Sequence, residues 1–234
     1  MGVVAFHLSW AIASWVQPNY SARREFISAL AAPDGQLRWL MTAGFLALGA
    51  ALTRVGVIAW SQRPTRMAGV LLIVSAVCVV VAAFVRQRCS TALADCGELV
   101  TRQSAWSATR IHDAAATAGF VLMLAAAVAL TAQMPRQSWR LPVAASFGVI
   151  TLAMAVAWSA GRGWADAGAV QRAFVLTLSV WLVLSAPRPG ASADRVVDLT
   201  TSGERLDADP LVLLPSERQI RRSGRNERVT DLRR

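Results

Sequence analysis

One uncharged stretch, Ala114–Pro135, limits what this chain can fold into more than any other feature. It runs AAATAGFVLMLAAAVALTAQMP, 22 residues without an acidic or basic side chain. As an α-helix the stretch rises about 33 Å, enough to cross the ~30 Å hydrocarbon core of a bilayer. His112 and Asp113 directly precede it, so two ionisable residues stand at the mouth of a predicted membrane span.

The composition extends this interpretation to most of the chain. Hydrophobic residues make up 55% and charged residues only 16%, and the apolar residues fall in blocks of about 15–22, as in membrane spans. All 24 basic residues are arginine, which with the abundant Ala and Val is typical of a GC-rich bacterial genome. The net charge of +10 favours membrane lipids as partners, because no nucleic-acid-binding motif accompanies it.

We therefore predict an all-α integral membrane bundle of six transmembrane helices over residues 1–187. Residues 188–234 contain ten Arg and eight acidic residues and are predicted to form a disordered cytoplasmic tail. In the first loop, the segment FISALAA (26–32) is predicted to form a short amphipathic helix at the membrane interface. The six predicted spans are Met1–Val16 (extended to about Tyr20), Trp39–Trp60, Met67–Val85, Ala114–Pro135, Leu141–Gly161 and Ala167–Ala186.

Six spans place both chain ends on the same side of the membrane. Cytoplasmic loops of membrane proteins usually carry the excess of arginine and lysine. If both ends were cytoplasmic, more of the loop arginines would lie outside, so the loop count alone opposes this placement. Cys89 and Cys96, seven residues apart in one loop, favour it, because they predict a disulfide in an oxidising compartment. We therefore predict a multi-pass plasma-membrane protein with cytoplasmic termini; two free thiols in a cytosolic loop are the alternative.

Three segments resemble one bacterial family. PNYSARREFISALAA (18–32) resembles its first loop, IHDAAATAGF (111–120) its His-led fourth span, and GAVQRAFVLTLSVWLVLSA (168–186) its last span. The family is the "domain of unknown function 998" group, distantly similar to the Frag/DRAM/Sfk membrane proteins. The chain departs from it at Ala29, where an acidic residue is expected, and at Ala31, where glycine is expected. The resemblance implies a six-helix membrane protein and no established reaction.

Polar residues gather at the outer mouth of the predicted bundle. Ionisable groups near the apolar zone are costly, so they usually pair or serve a function. Arg172 is the sharpest case, six residues beyond Asp166, with Asp113 or Glu25 as its expected partner. The functional interpretation is a pocket for an anionic lipid headgroup or another outer-leaflet ligand; the alternative is a structural ion pair that fixes helix packing. The predicted ligand-binding residues are Arg172, His112, Asp113, Tyr20, Arg24, Glu25 and Ser28.

The sequence carries little sign of catalysis. The two histidines, His7 and His112, are predicted at opposite depths and form no zinc site, and neither a G-x-S-x-G nor an H-E-x-x-H motif occurs. We predict no metal, cofactor or catalytic residue. Two alternatives to lipid binding stay open: a small-molecule transporter and a lipid-modifying enzyme that uses His112 and Asp113. A homo-oligomer or a membrane protein partner also stays open.

Overall fold

The computed structural model describes residues 1–87, 108–160 and 166–187. Over these residues the chain is all-α, as predicted, and no strand occurs in them. Two short 3₁₀ helices, Ile27–Ala31 and Arg63–Thr65, lie in the connections. The described ranges contain six α-helices, which are α1 (Gly2–Val16), α2 (Arg38–Ser61), α3 (Arg66–Phe84), α4 (Ala108–Ala132), α5 (Arg140–Ala160) and α6 (Ala167–Ser185).

Five of these helices, α2 to α6, are long and apolar enough to cross a membrane. Helix α1 is apolar but has only 15 residues, a rise of about 22 Å. Large apolar side chains such as Val57, Val121 and Val149 are exposed on the outside of the bundle, where hydrocarbon rather than water would solvate them. The helices make this a multi-pass membrane protein. The predicted tail lies outside the described residues.

Neighbouring helices in the sequence pack together: α1 with α2, α2 with α3, α3 with α4, and α5 with α6, while α6 also contacts α4. Helices α2 and α3 approach each other closely. A Cβ atom on Gly69 would lie 2.6 Å from the carbonyl oxygen of Gly56 and 2.5 Å from the amide nitrogen of Trp60. Small residues let helix backbones approach this closely in membranes, where packing replaces the hydrophobic effect.

The chain between α1 and α2, residues 17–37, is the first loop. Its Ile27–Ala31 turn is buried and contacts α1, α2 and α6. The predicted short helix is present as this 3₁₀ turn. It is not an amphipathic interface helix, because Ile27, Leu30 and Ala31 are buried and only Ser28 within the turn is partly exposed. We call the end of the bundle that carries this loop the first-loop end, and the opposite end the far end.

Helix α4 begins earlier than predicted. It starts at Ala108, six residues before the predicted start at Ala114, so His112 and Asp113 lie within its first two turns rather than ahead of it. The polar side chain of His112 is tolerated in these turns because it bonds to the carbonyl oxygens of Ala82, on α3, and of Val85, which directly follows α3. The uncharged stretch predicted the span but not its first turns.

Candidate functional site at the first-loop end

Arg172, in the second turn of α6, reaches into the first loop and holds its backbone. Its Nη1 donates to the carbonyl oxygens of Ala22 (2.6 Å), Glu25 (2.8 Å) and Gly168 (2.9 Å). Its Nη2 donates to the hydroxyl of Tyr20. The predicted carboxylate partner of Arg172 is therefore replaced by main-chain carbonyl oxygens, and Glu25 contributes its own carbonyl oxygen. The planar guanidinium has several N–H donors and can bond to several such oxygens at once.

Two aromatic rings flank the guanidinium of Arg172. Its Cζ lies 5.5 Å from the ring centroid of Trp10 on α1 and 5.5 Å from that of Tyr20. The Tyr20 hydroxyl in turn lies 3.1 Å from the carbonyl oxygen of Phe26. Burial raises the pKa of Tyr20, and the neighbouring charge of Arg172 acts in the opposite direction. The phenol therefore stays neutral at physiological pH and bridges α6 to the loop.

The start of α6 is fitted to the first loop by three further contacts. Gln171 accepts, through Oε1, a hydrogen bond from the amide of Ile27 at 2.8 Å. The amide of Ala169 donates to the carbonyl of Arg23 at 3.0 Å. At Gly168 a Cβ atom would lie 2.3 Å from the carbonyl oxygen of Glu25, so only glycine permits this approach.

The other predicted first-loop residues are placed differently. Glu25 is buried, and its carboxylate accepts a hydrogen bond from the amide of Ser21 at 2.8 Å, which closes a turn within the loop. Arg24 is exposed and Ser28 partly exposed. The structure thus joins Tyr20 and Glu25 to Arg172, while Arg24 presents its charge to the surroundings.

The surface of this end carries an ion pair that was not among the predicted site residues. Arg23 donates through Nε and Nη2 to both carboxylate oxygens of Asp166, and the two side chains are 72% and 44% exposed. The hydrogen bond from Arg23 lowers the pKa of Asp166. Arg23 lies in the first loop and Asp166 directly precedes α6. The predicted topology puts both positions at the same end of the bundle, and this is the signal by which the sequence could have paired them.

Acid is expected to remove the contribution of this pair. Because the pKa of Asp166 lies below its ordinary value of 3.8, the stabilisation is complete above that value and is lost as the pH falls through the lowered pKa. The difference in melting temperature between the wild type and Asp166→Asn, measured in detergent from about pH 7 to about pH 3, should therefore become smaller as the pH falls below the ordinary pKa. A difference that stays constant over this range would contradict the assignment.

His112 and Asp113 do not join the contacts of Arg172. The Nδ1 atom of His112 lies 2.9 Å from the carbonyl oxygens of both Ala82 and Val85 at the end of α3, so this nitrogen carries the proton. The side chain is 1% exposed, and its buried Nε2 has no hydrogen-bond partner among the described residues. Asp113 accepts from Gln87 Nε2 at 3.3 Å. Both residues therefore connect α4 to α3.

His7 lies within α1 and forms a polar contact that sequence reasoning missed. Trp10 Nε1 donates to His7 Nδ1 at 3.1 Å, and His7 Nε2 lies 3.1 Å from the hydroxyl oxygen of Ser179 on α6. Because the Ser179 hydroxyl donates to the carbonyl of Val175, Nε2 carries the ring proton and the imidazole is neutral. Each nitrogen then has one partner, which favours a structural link between α1 and α6.

Two further arginines lie beside the Trp39 ring at the first-loop end. The Arg86 guanidinium lies 4.4 Å from the Trp39 ring centroid, and that of Arg38 lies 5.6 Å from it. Arg86 also donates to the hydroxyl of Thr42 at 3.2 Å, and Arg38 donates to the carbonyl of Pro33. The indole is 65% exposed. We call Arg38, Trp39 and Arg86 the arginine–tryptophan cluster.

The family whose sequence pattern matches this chain is described as "Protein of unknown function (DUF998)", and the match covers residues 1–187. The chain belongs to the DUF998 family. The comparisons with curated proteins and with solved structures find no match, so the distant similarity to Frag/DRAM/Sfk proteins stays a prediction.

In this DUF998 protein, two of the three segments that resemble the family lie in direct contact. The first-loop segment supplies the carbonyl oxygens, and the segment at the start of α6 supplies Gly168, Gln171 and Arg172. Among the described residues, no group of three His, Cys, Asp or Glu side chains is placed to hold a metal ion. Cys89 and Cys96, the predicted disulfide, lie outside the described residues.

Proposed function

We propose that this DUF998 protein binds anionic phospholipid headgroups at its first-loop end. The observation that carries the proposal is the arginine–tryptophan cluster. The guanidinium groups of Arg38 and Arg86 are both held beside one exposed indole, and their hydrogen bonds go to a carbonyl and a hydroxyl, both neutral. Two oriented cations whose hydrogen bonds, within the described part of the chain, go to neutral acceptors are suited to a phosphate group.

The surrounding charges support this proposal. Among the described residues, the hydrogen bonds of Arg172 likewise go to carbonyl oxygens and a phenol, and two aromatic rings flank it; Arg24 is exposed. The first-loop end therefore combines several fixed positive charges, which attract an anionic headgroup over a Debye length of about 8 Å at physiological ionic strength.

The position of the cluster favours a lipid over a soluble anion. Trp39 lies in the first turn of α2, where a predicted membrane span begins, and tryptophan concentrates at the membrane–water interface. Arginine stems buried along apolar surface, with the charge at the headgroup level, have the same preference. A phospholipid satisfies both the indole and the guanidinium groups at this depth.

The double variant Arg38→Gln/Arg86→Gln tests the proposal. Each arginine near a membrane surface contributes about 1 kcal/mol to the attraction of anionic lipid, so the affinity for phosphatidylglycerol should fall roughly 30-fold. Native mass spectrometry of the detergent-solubilised protein, titrated with phosphatidylglycerol, measures this change. Phosphatidylcholine titrated in parallel should bind weakly to both proteins.

The matched control is Arg136→Gln, which removes an exposed arginine from the far end. It should leave phosphatidylglycerol binding at the first-loop end unchanged. If the wild type and the double variant bind phosphatidylglycerol equally well, the proposal is wrong. If Arg136→Gln weakens phosphatidylglycerol binding as much as the double variant does, the binding is non-specific charge attraction. Inorganic phosphate that competes as well as the lipid would instead identify a soluble anion as the ligand.

We further propose that the first-loop end faces outward from the plasma membrane and that both termini are cytoplasmic. The described loops of the far end carry Arg63, Arg66, Arg136 and Arg140 without an acidic residue, a composition suited to the anionic cytoplasmic leaflet. A membrane-impermeant thiol reagent should therefore label Ser28→Cys, but not Gln137→Cys, in intact cells. The opposite labelling pattern would reverse the orientation.

The two alternatives from the sequence receive less support. The enzyme would use His112, but this side chain is buried against the α3 carbonyl oxygens, and Asp113 accepts from Gln87. A transporter would need an open polar path, whereas the polar contact of His7 with Ser179 is satisfied by its own partners. Among the described residues, the His112 Nε2 atom that has no partner is buried and does not lie beside the exposed Asp113 carboxylate in a shared cavity with other polar groups.

A further inference from the structure

The described part of the bundle encloses an apolar cavity on the far-end side of the His7–Ser179 contact. Its volume is about 230 Å³, and α1, α2, α3, α4 and α6 all contribute to its wall. The wall is formed by side chains such as Leu48, Leu52, Leu72, Phe120 and Leu178, and Ser179 is its one polar lining residue. The cavity thus lies among membrane-spanning helices and is lined by hydrocarbon.

Water is a poor occupant of this cavity. An ordered buried water needs two to four hydrogen-bond partners. The hydroxyl of Ser179 already donates to the carbonyl of Val175 at 2.8 Å and accepts from His7 Nε2 at 3.1 Å. The remaining lining side chains are apolar. A cavity of about 150 Å³ with walls of this kind stays dry and binds benzene, and this one is larger, so hydrocarbon fits it better than water.

The wall of the cavity reaches the surface near the far end, beside an arginine. Val183, a lining residue near the end of α6, is 59% exposed. The Nη2 atom of Arg140 donates to the carbonyl oxygen of Val183 at 3.1 Å, so a guanidinium lies beside this exposed part of the wall.

We infer that part of one acyl chain of an anionic phospholipid occupies this cavity, with the phosphate bound at Arg140. The apolar wall selects the chain, and the arginine beside the exposed wall residue Val183 selects the charged headgroup. The bilayer supplies this ligand. The site is separate from the arginine–tryptophan cluster, because it lies at the opposite end of the helices and uses different residues.

Photocrosslinking of the full-length protein tests this inference. The probe is phosphatidylglycerol with a diazirine at the end of one acyl chain, mixed with phosphatidylcholine in nanodiscs that hold the protein. In the wild type we expect adducts on the α2 and α6 segments around Leu52 and Leu178, which unlabelled phosphatidylglycerol should compete away. Val55→Trp and Val175→Trp should each reduce these adducts about tenfold, because a close-packed interior leaves no room for both the indole and the chain.

The matched control is Val57→Trp, the same substitution at an exposed position of α2, which should keep wild-type labelling. The Arg38→Gln/Arg86→Gln variant should also keep it, so a failure of the headgroup proposal and a failure of this one are distinguishable. Adducts spread evenly over lipid-facing segments, or undiminished labelling in Val55→Trp, would overturn the inference. If both tryptophan variants misfold, the wild-type adduct map decides by itself.

Discussion

Arg172→Ala is expected to lower the free energy of unfolding by about 3 kcal/mol, because hydrogen bonds to a charged group contribute about 1.5–3 kcal/mol and their loss leaves partners unsatisfied. The carbonyl oxygens of Ala22 and Glu25 and the hydroxyl of Tyr20 would lose their donor. The first loop would then detach from α6 at this point. Denaturant unfolding in mixed detergent micelles, followed by circular dichroism, measures the change.

Two further variants separate charge from geometry. Arg172→Lys keeps the positive charge but replaces the planar fork by a single ammonium, so it should recover less than half of the loss. Arg24→Ala removes an exposed first-loop arginine and should change stability by less than about 0.5 kcal/mol. If Arg172→Ala unfolded at the same denaturant concentration as the wild type, Arg172 would not hold the loop.

Gly168→Val is expected to be at least as damaging, with a loss of about 3 kcal/mol or failure to fold, because overpacking costs typically 1–3 kcal/mol even when side chains can adjust. The first added carbon would lie 2.3 Å from the carbonyl oxygen of Glu25 and 2.8 Å from that of Ala22. Both obstacles are backbone atoms and cannot rotate away. The same unfolding measurement, with the yield of monodisperse protein after solubilisation, reports the effect.

The control for this substitution is the adjacent residue. Ala169→Val adds two methyl groups at an exposed position of α6, so it should change the free energy of unfolding little. It also controls for the general effect of placing a β-branched residue in this helix. A tolerated Gly168→Val, or a matching loss in Ala169→Val, would show that the contact between α6 and the first loop is not close-packed.

The sequence predicted the helical architecture because hydrophobic length is a local property. Uncharged blocks such as Ala114–Pro135 have no other stable environment than hydrocarbon, so the spans follow from composition alone. The predictions failed at helix ends and in the first loop. The early start of α4 and the buried turn Ile27–Ala31 both depend on partners that lie far away in the chain.

The candidate site was predicted in part. Arg172 followed from the cost of a charge inside a span, but its main-chain partners could not be predicted, because any residue type can supply a carbonyl oxygen. The arginine–tryptophan cluster left a clearer signal. Arg38 and Trp39 begin one span and Arg86 follows the next, and consecutive antiparallel helices bring such positions to the same end. Orientation and the predicted ligand-binding roles stay predictions.

The hydrogen bonds that Arg172 donates and Gln171 accepts join residues separated by about 150 positions in the chain. During synthesis, the carbonyl oxygens of residues 22 and 25 therefore emerge long before their donors exist. The first loop can reach its final conformation only after the last helix has entered the bilayer. Folding of the first loop is thus expected to be a late step of biogenesis. A chain truncated before residue 172 lacks the guanidinium group that holds the first loop, so an incomplete chain cannot complete this step.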